Sequence, residues 1–321
     1  MIWLTWRQFR VQAMVAAAAF VVLAAVLAYT GPHLFHLYDT SGIAQCRSGT
    51  GDCSSLLNDF SARYPVLHSV GALLIALPGI VGVFWGAPLL ARELEAGTHR
   101  VAWTQSVTRT RWLATKVLVV GGACVVTTAA FTAVISWWRY PFDEAFPNRF
   151  APGVFAQRGI VPLGYAAFAF ALGIAMGAIF RRTVPAMGST LAIFFATRFA
   201  IQEWVRPSLA APLHIVGGSN AARGLRIDPN AWVMSDKLVD PSGHTIRQLD
   251  NLAVSSCHLT RQTFSDAALR SCMHRLGIRD VLTVQPANRF WPFQIGETAI
   301  YAALAIALLA LAFWWVRRRI T

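Results

Sequence analysis

Residues 11–30, "VQAMVAAAAFVVLAAVLAYT", hold twenty positions without a single charge. At 1.5 Å of rise per residue, a helix of that length crosses the roughly 30 Å of hydrocarbon in a bilayer. Five further apolar runs follow at 70–91, 113–137, 160–180, 183–204 and 296–316. The run 183–204 is the least apolar, because it carries Arg198 and Glu203 toward one end. Only 13% of the 321 residues are charged, against about 25% in a soluble domain. In lipid every backbone N–H and C=O must find a partner inside the segment, which leaves helices as the form for such runs. The expected fold class is an all-α polytopic membrane protein with six transmembrane helices.

The basic residues set an expected orientation. With the N-terminus inside, the inner segments carry Arg7, Arg10, Arg92, Arg100, Arg109, Arg111, Lys116, Arg181, Arg182 and Arg317 to Arg319, which is 12 of the 28 basic residues. The two shorter outer loops, 31–68 and 138–159, carry five. That asymmetry places both termini in the cytoplasm of a cell membrane. The formal charge of +13 is then met by an anionic inner leaflet, with membrane lipids as partners and no nucleic acid. The start "MIWLTWRQFR" followed by an apolar run resembles a secretory signal, with "VLA" at 26–28 in the place of a cleavage site. The apolar run is longer than a signal core and five more spans follow, so it reads as a retained span. Residues 2–10 place Ile2, Trp6 and Phe9 along one helical face, the pattern of a short helix lying in the interface.

Between the second and third runs lies "RELEAGTHRVAWTQSVTRTRWLATK", residues 92–116. Six of its formal charges (Arg92, Glu93, Glu95, Arg100, Arg109, Arg111), before Lys116 at its end, exclude it from lipid, where each would cost about 2.5–3.5 kcal/mol near the bilayer centre. It is longer than a helix–helix connection needs to be. Gly97 is the expected C-cap of one helix and Thr98 the expected start of another. The segment 92–111 therefore reads as a short cytoplasmic helix lying across the membrane face.

This run resembles the segment between the second and third spans of type-2 ATP-binding-cassette exporter permeases. The matching positions are Glu93, Glu95, Gly97, Thr98, Arg109 and Lys116. "RFWPFQ" at 289–294 and the insertion before it resemble an actinobacterial subgroup of those permeases. The resemblance implies a coupling helix seated in a groove of a separate ATPase subunit. Glu93 and Glu95 would meet basic residues of that subunit, and Arg100 acidic ones. It also implies two ATPase copies, a second copy of this chain, and export of a hydrophobic or amphipathic drug, lipid or peptide. The sequence has no G-x-x-x-x-G-K-[ST] phosphate loop. The chain is accordingly expected not to be an enzyme by itself and to bind no cofactor, with ATP and Mg held by the partner. The competing reading is a membrane signalling or scaffold protein, or a lipid-modifying membrane enzyme.

The domain plan is 1–204 as the first membrane part, 205–295 as an extracytoplasmic cap, and 296–321 as the last span with a basic tail. Within the cap, "AWVMSDKLVDPSGHTIRQL" reads as two strands joined at "DPSG", and "TFSDAALRSCMHRLG" as a short helix from Ser265 to Gly277. A small α+β unit results. Cys46, Cys53, Cys257 and Cys272 all fall on the oxidising side. Four cysteines allow three pairings, of which Cys46–Cys53 with Cys257–Cys272 is favoured. No His or Cys cluster has the spacing of a zinc site, so no metal is expected. Arg198, Glu203 and Glu297 sit near the outer ends of spans, where intramembrane ionisable groups are candidates for a gate or substrate path. A structural pairing of a snorkelling Arg198 with Glu203 or Glu297 explains them equally well.

Overall fold

The computed structural model of the chain describes residues 2–48, 53–63, 66–97, 108–218, 228–246, 256–257 and 265–319. Among the described residues, six helices are long and apolar enough to cross a membrane. They are α1 (Ile2–Thr40), α4 (Val66–Glu95), α5 (Arg109–Trp138), α8 (Val161–Phe180), α9 (Thr183–Ala200) and α11 (Phe290–Arg318), called spans 1 to 6 below. Short helices fill the connections: α2 (Ile43–Ser48), α3 (Ser54–Ala62), α6 (Tyr140–Ala145) and α7 (Pro152–Phe155). The chain divides into two compact units, one of 1–146, 152–209 and 292–321, the other of 147–151 and 210–291.

In the first unit, span 4 is the hub. Its most apolar window is 72% buried within the chain, whereas that of span 1 is 6% buried and faces outward. The closest approach is between spans 2 and 4, through two pairs of glycines four residues apart, Gly82 with Gly86 and Gly173 with Gly177. A β-carbon on Gly86 would lie 2.5 Å from the Phe170 carbonyl oxygen, one on Gly173 2.6 Å from the Ala87 nitrogen, and one on Gly177 2.8 Å from the Ala87 oxygen. Helix association in lipid lacks a hydrophobic drive and depends on such close backbone packing. Buried Phe9, Trp85, Leu90, Trp112, Leu113, Phe170 and Ile174 form a core toward one end of this unit. Leu27, Leu34, Ile43, Phe60, Phe131, Trp138 and Phe142 form another.

Three expectations are corrected here. Residues 2–10 are not a separate interfacial helix; they run without a break into span 1, because no Gly or Pro interrupts the Ala-rich stretch before Gly31. Phe9 is buried while Trp6 is 54% exposed, so these two do not share a lipid-facing side. The segment 31–68 is not a loop but largely helix, comprising the end of α1 beyond Pro32, then α2 and α3, which the Cys46–Cys53 disulfide joins with Cα atoms 5.9 Å apart. The cap is also shorter than 205–295, since 205–209 and 292–295 belong to the membrane unit. After Ala200, span 5 continues through one widened π turn, Ile201–Val205, and a 3₁₀ turn, Arg206–Ser208.

The second unit is a four-stranded antiparallel sheet in the order β1-β4-β2-β3, from β1 (Leu213–Gly218), β2 (Trp232–Val239), β3 (Thr245–Ile246) and β4 (Arg279–Gln285). β2 and β3 are the expected hairpin, turning at Asp240–His244 with Gly243 at φ +90°. In that turn the Asp240 carboxylate accepts the His244 N–H, which lowers its pKa. The helix α10 (Asp266–Arg275) starts where Ser265 accepts the Ala268 N–H and stops before Gly277 at φ +67°. Leu269, Met273 and Ile278 pack there with Leu238, Ile246 and Cys257, and Cys257 is disulfide-bonded to Cys272.

Candidate functional site

Two polar constructions stand out in the membrane unit. The first closes the end of span 2. Glu93 and Glu95 lie about 200° apart around the helix, so the two carboxylates reach different neighbours. The Glu93 Oε1 is 2.5 Å from the Lys116 Nζ of span 3, with side-chain exposures of 14% and 3%. Lys116 also sits 4.7 Å over the Trp112 ring. A buried ammonium needs its counter-ion, which Glu93 supplies. Glu95 Oε2 instead accepts the Thr183 N–H at 3.0 Å and the Thr183 hydroxyl at 2.9 Å. There it caps the start of span 5, where unbonded N–H groups attract a carboxylate. Gly97 then takes φ +70° and the helix ends. Span 3 restarts at Arg109, with Thr108 accepting the Arg111 N–H. At the turn between spans 4 and 5, Arg181 donates to the Arg319 carbonyl of span 6 at 2.8 Å.

The second construction joins spans 4, 5 and 6. The Arg206 guanidinium grips the Glu297 carboxylate with two bonds, Nε to Oε2 at 2.7 Å and Nη2 to Oε1 at 3.0 Å. Both side chains are all but fully buried, at 2% and 1% exposure. The Tyr165 hydroxyl donates to Glu297 Oε1 at 2.6 Å, and Phe155 lies 4.2 Å beneath the Arg206 guanidinium. Arg198 stacks 4.7 Å over the Tyr165 ring and donates to the Ile75 carbonyl of span 2 at 2.6 Å. Two arginines and one carboxylate thus share a buried site. Next to it Gln294 accepts the N–H groups of Ile160 and Val161, each at 3.1 Å, and donates to the Phe155 carbonyl. This side-chain amide caps the N-terminus of span 4.

A family model described as ABC-2 membrane transporter related matches residues 17–206, more than half of the chain, from within span 1 to just past the end of span 5. The chain belongs to that family. Neither a curated protein nor a solved structure matches it. As an ABC-2 permease it is a multi-pass membrane component of a transporter, of a kind that typically works with an ATPase subunit.

In the permease Glu93 and Glu95 are each engaged by another span, Glu95 while staying exposed. Arg198 pairs with neither Glu203 nor Glu297; Glu203 lies in the widened turn, where it accepts from Gln202 at 3.0 Å. Thr98 and Arg100 lie outside the described residues. Sequence reasoning missed Arg206 because it was assigned to the cap, and missed Tyr165 and Gln294 because neither carries charge. The spacing G-x-x-x-G at 82–86 and again at 173–177 was the signal available for the span 2–span 4 contact. Outside the spans, Arg139 donates to Gln157 at 3.0 Å and Arg158 pairs with Asp143. Burial lowers both guanidinium pKa values, and the neighbouring Arg139 charge helps bring that of Arg158 down to about 10.

Proposed function

We infer that two copies of this permease, driven by two copies of a separate ATPase subunit, export a hydrophobic or amphipathic compound. The observation that carries this reading is the bracing at the end of span 2. Glu93 ties that end to span 3, Glu95 ties it to span 5, and the glycine contacts tie the span itself to span 4. A push on segment 92–111 would therefore move four spans as one body rather than tilt spans 2 and 3 alone. Alternating access needs two states that differ in their contacts, and a rigid body of this kind supplies the moving part. Span 5 keeps Phe195, Phe199 and Trp204 exposed at 42%, 61% and 70%. That aromatic face would line the path of an apolar cargo where the second copy meets it. Arg198 and Glu297, with Arg206, would hold the outer end of the path shut, and Glu203 would lie at its rim. The termini and segment 92–111 would be cytoplasmic and the sheet unit extracytoplasmic.

Co-expression with a cassette ATPase encoded beside it tests the partnership. The tagged permease is expected to co-purify the ATPase, and Arg100→Glu to lower its yield about tenfold without changing the yield of permease. Equal ATPase recovery from both would remove segment 92–111 from the interface. Thiol labelling in whole cells tests the orientation. A membrane-impermeant maleimide is expected to label Ser242→Cys from outside and Ala96→Cys only after the cells are broken open; the reverse pattern would invert the topology.

A further inference from the structure

At the ends of spans 1, 2 and 3 lies a cavity of about 290 Å³, lined by Phe9, Leu89, Arg92, Glu93, Ala96 and Lys116 among others. Phe9, Pro88 and Leu89 are its apolar lining. Its polar side carries two cations and one anion. Lys116 is 2% exposed and ion-paired to Glu93. The Arg92 guanidinium is exposed and makes no hydrogen bond or ion pair among the described residues. Among the described residues its lining therefore carries one surplus positive charge, on a guanidinium whose fork geometry suits a phosphate better than a neutral group.

Its depth in the bilayer follows from its neighbours. Trp3 and Trp6, 68% and 54% exposed, stand at the same end of span 1, with Arg7 lying 5.3 Å over the Trp3 ring. The end of span 2 bonds to the start of span 5, and the turn after span 4 bonds to the end of span 6. The cavity thus opens where the spans stop, at headgroup level, where tryptophans and arginines collect. Beyond it the outward side of span 1 is apolar and exposed at Val11, Met14 and Val15, as is Leu118 on span 3. Acyl chains have a surface to lie on there.

We propose that this cavity binds the phosphate of an anionic phospholipid, with Arg92 gripping the phosphate and the Glu93–Lys116 pair meeting the hydroxyls of the headgroup. At roughly 30 Å³ per water-sized group the cavity has room for about ten such groups, the size of a phosphoglycerol. The ligand sits against Glu93, which ties the end of span 2 to span 3, so lipid occupancy would stiffen the segment through which span 2 is driven. The binding step rests only on the chain being a membrane protein and is independent of any ATPase.

Native mass spectrometry of the full chain, purified in detergent and titrated with phosphatidylglycerol or phosphatidylcholine, tests this. One phosphatidylglycerol per chain is expected to survive delipidation, with phosphatidylcholine retained at least fivefold less. Arg92→Gln, which breaks no hydrogen bond or ion pair among the described residues, and Ala96→Phe, which fills the rim, should each lower retained phosphatidylglycerol at least fivefold. Arg7→Gln, at the same end of span 1 but outside the cavity, should change it less than twofold. Thermal melts compare the folding of the variants. An equal loss in Arg7→Gln and Arg92→Gln would reduce the effect to diffuse surface charge and overturn the proposal. So would equal retention of the two lipids, or displacement of the bound lipid by millimolar inorganic phosphate, which would make free phosphate the ligand.

Discussion

Gly173→Leu is expected to remove at least nine-tenths of the folded permease from the membrane fraction, read as the monodisperse peak in fluorescence-detected size exclusion. The added side chain would begin 2.6 Å from the Ala87 nitrogen and 2.9 Å from the Gly86 carbonyl carbon. Both are backbone atoms of a packed helix and cannot swing aside. Overpacking a well-filled site costs about 1–3 kcal/mol when side chains can yield, and here they cannot. Gly86→Leu should do the same from the opposite helix. Gly122→Leu on span 3 is the control, because nothing lies within 4 Å of the position its β-carbon would take. Comparable losses in Gly122→Leu and Gly173→Leu would mean that leucine in any span is harmful, and the glycine contact between spans 2 and 4 would lose its special status.

The second large effect is expected at Glu297. Glu297→Ala strips the counter-ion from Arg206 and leaves two buried guanidiniums, Arg206 and Arg198, facing each other's field. Breaking a buried pair by removing one partner costs about 3–5 kcal/mol, whereas replacing both by apolar groups is often neutral. Glu297→Ala should therefore lower the midpoint of thermal unfolding strongly, and Arg206→Met combined with Glu297→Leu should recover most of it. The double variant then separates structure from mechanism. A pair that only holds spans 5 and 6 together predicts full transport in reconstituted vesicles once the fold is restored. A pair that opens and closes during transport predicts a folded permease with transport reduced at least tenfold, and recovery of both properties would sink the gating role.

The membrane fold was legible because the driving pattern is local. A run such as 11–30 has one solution in lipid, and all six runs are helices. The hairpin at Asp240–His244 and the helix starting at Ser265 were readable for the same reason, since turn and cap chemistry is written within a few residues. β1 and β4 were not read. β4 is the strand that pairs with both β1 and β2, and its partners lie far away in sequence. The apolar runs were shorter than the helices, because such a run stops at the first polar residue whereas a helix stops where a cap stops it, as the glycine read at 97 does for span 2. The candidate site was half legible. Charge drew the eye to Glu93, Glu95, Arg198 and Glu297, but the partners came from other spans. Arg206, Thr183 and Tyr165 are 91, 88 and 132 residues distant from the carboxylates they meet.

The π turn at Ile201–Val205 has a consequence for how span 5 reads as a length of chain. Along an unbroken α-helix, residues eight apart point about 80° away from each other. A widened turn takes up one additional residue and holds back everything after it by roughly 100°. Arg198 and Arg206 therefore come to within about 20° of a common line, which is how both reach the interior from one helix. Span 5 behaves as an ordinary helix with a one-residue surplus. Deleting Gln202 would remove that surplus and let the helix close up with the two arginines seven residues apart, again within about 20° of a common line.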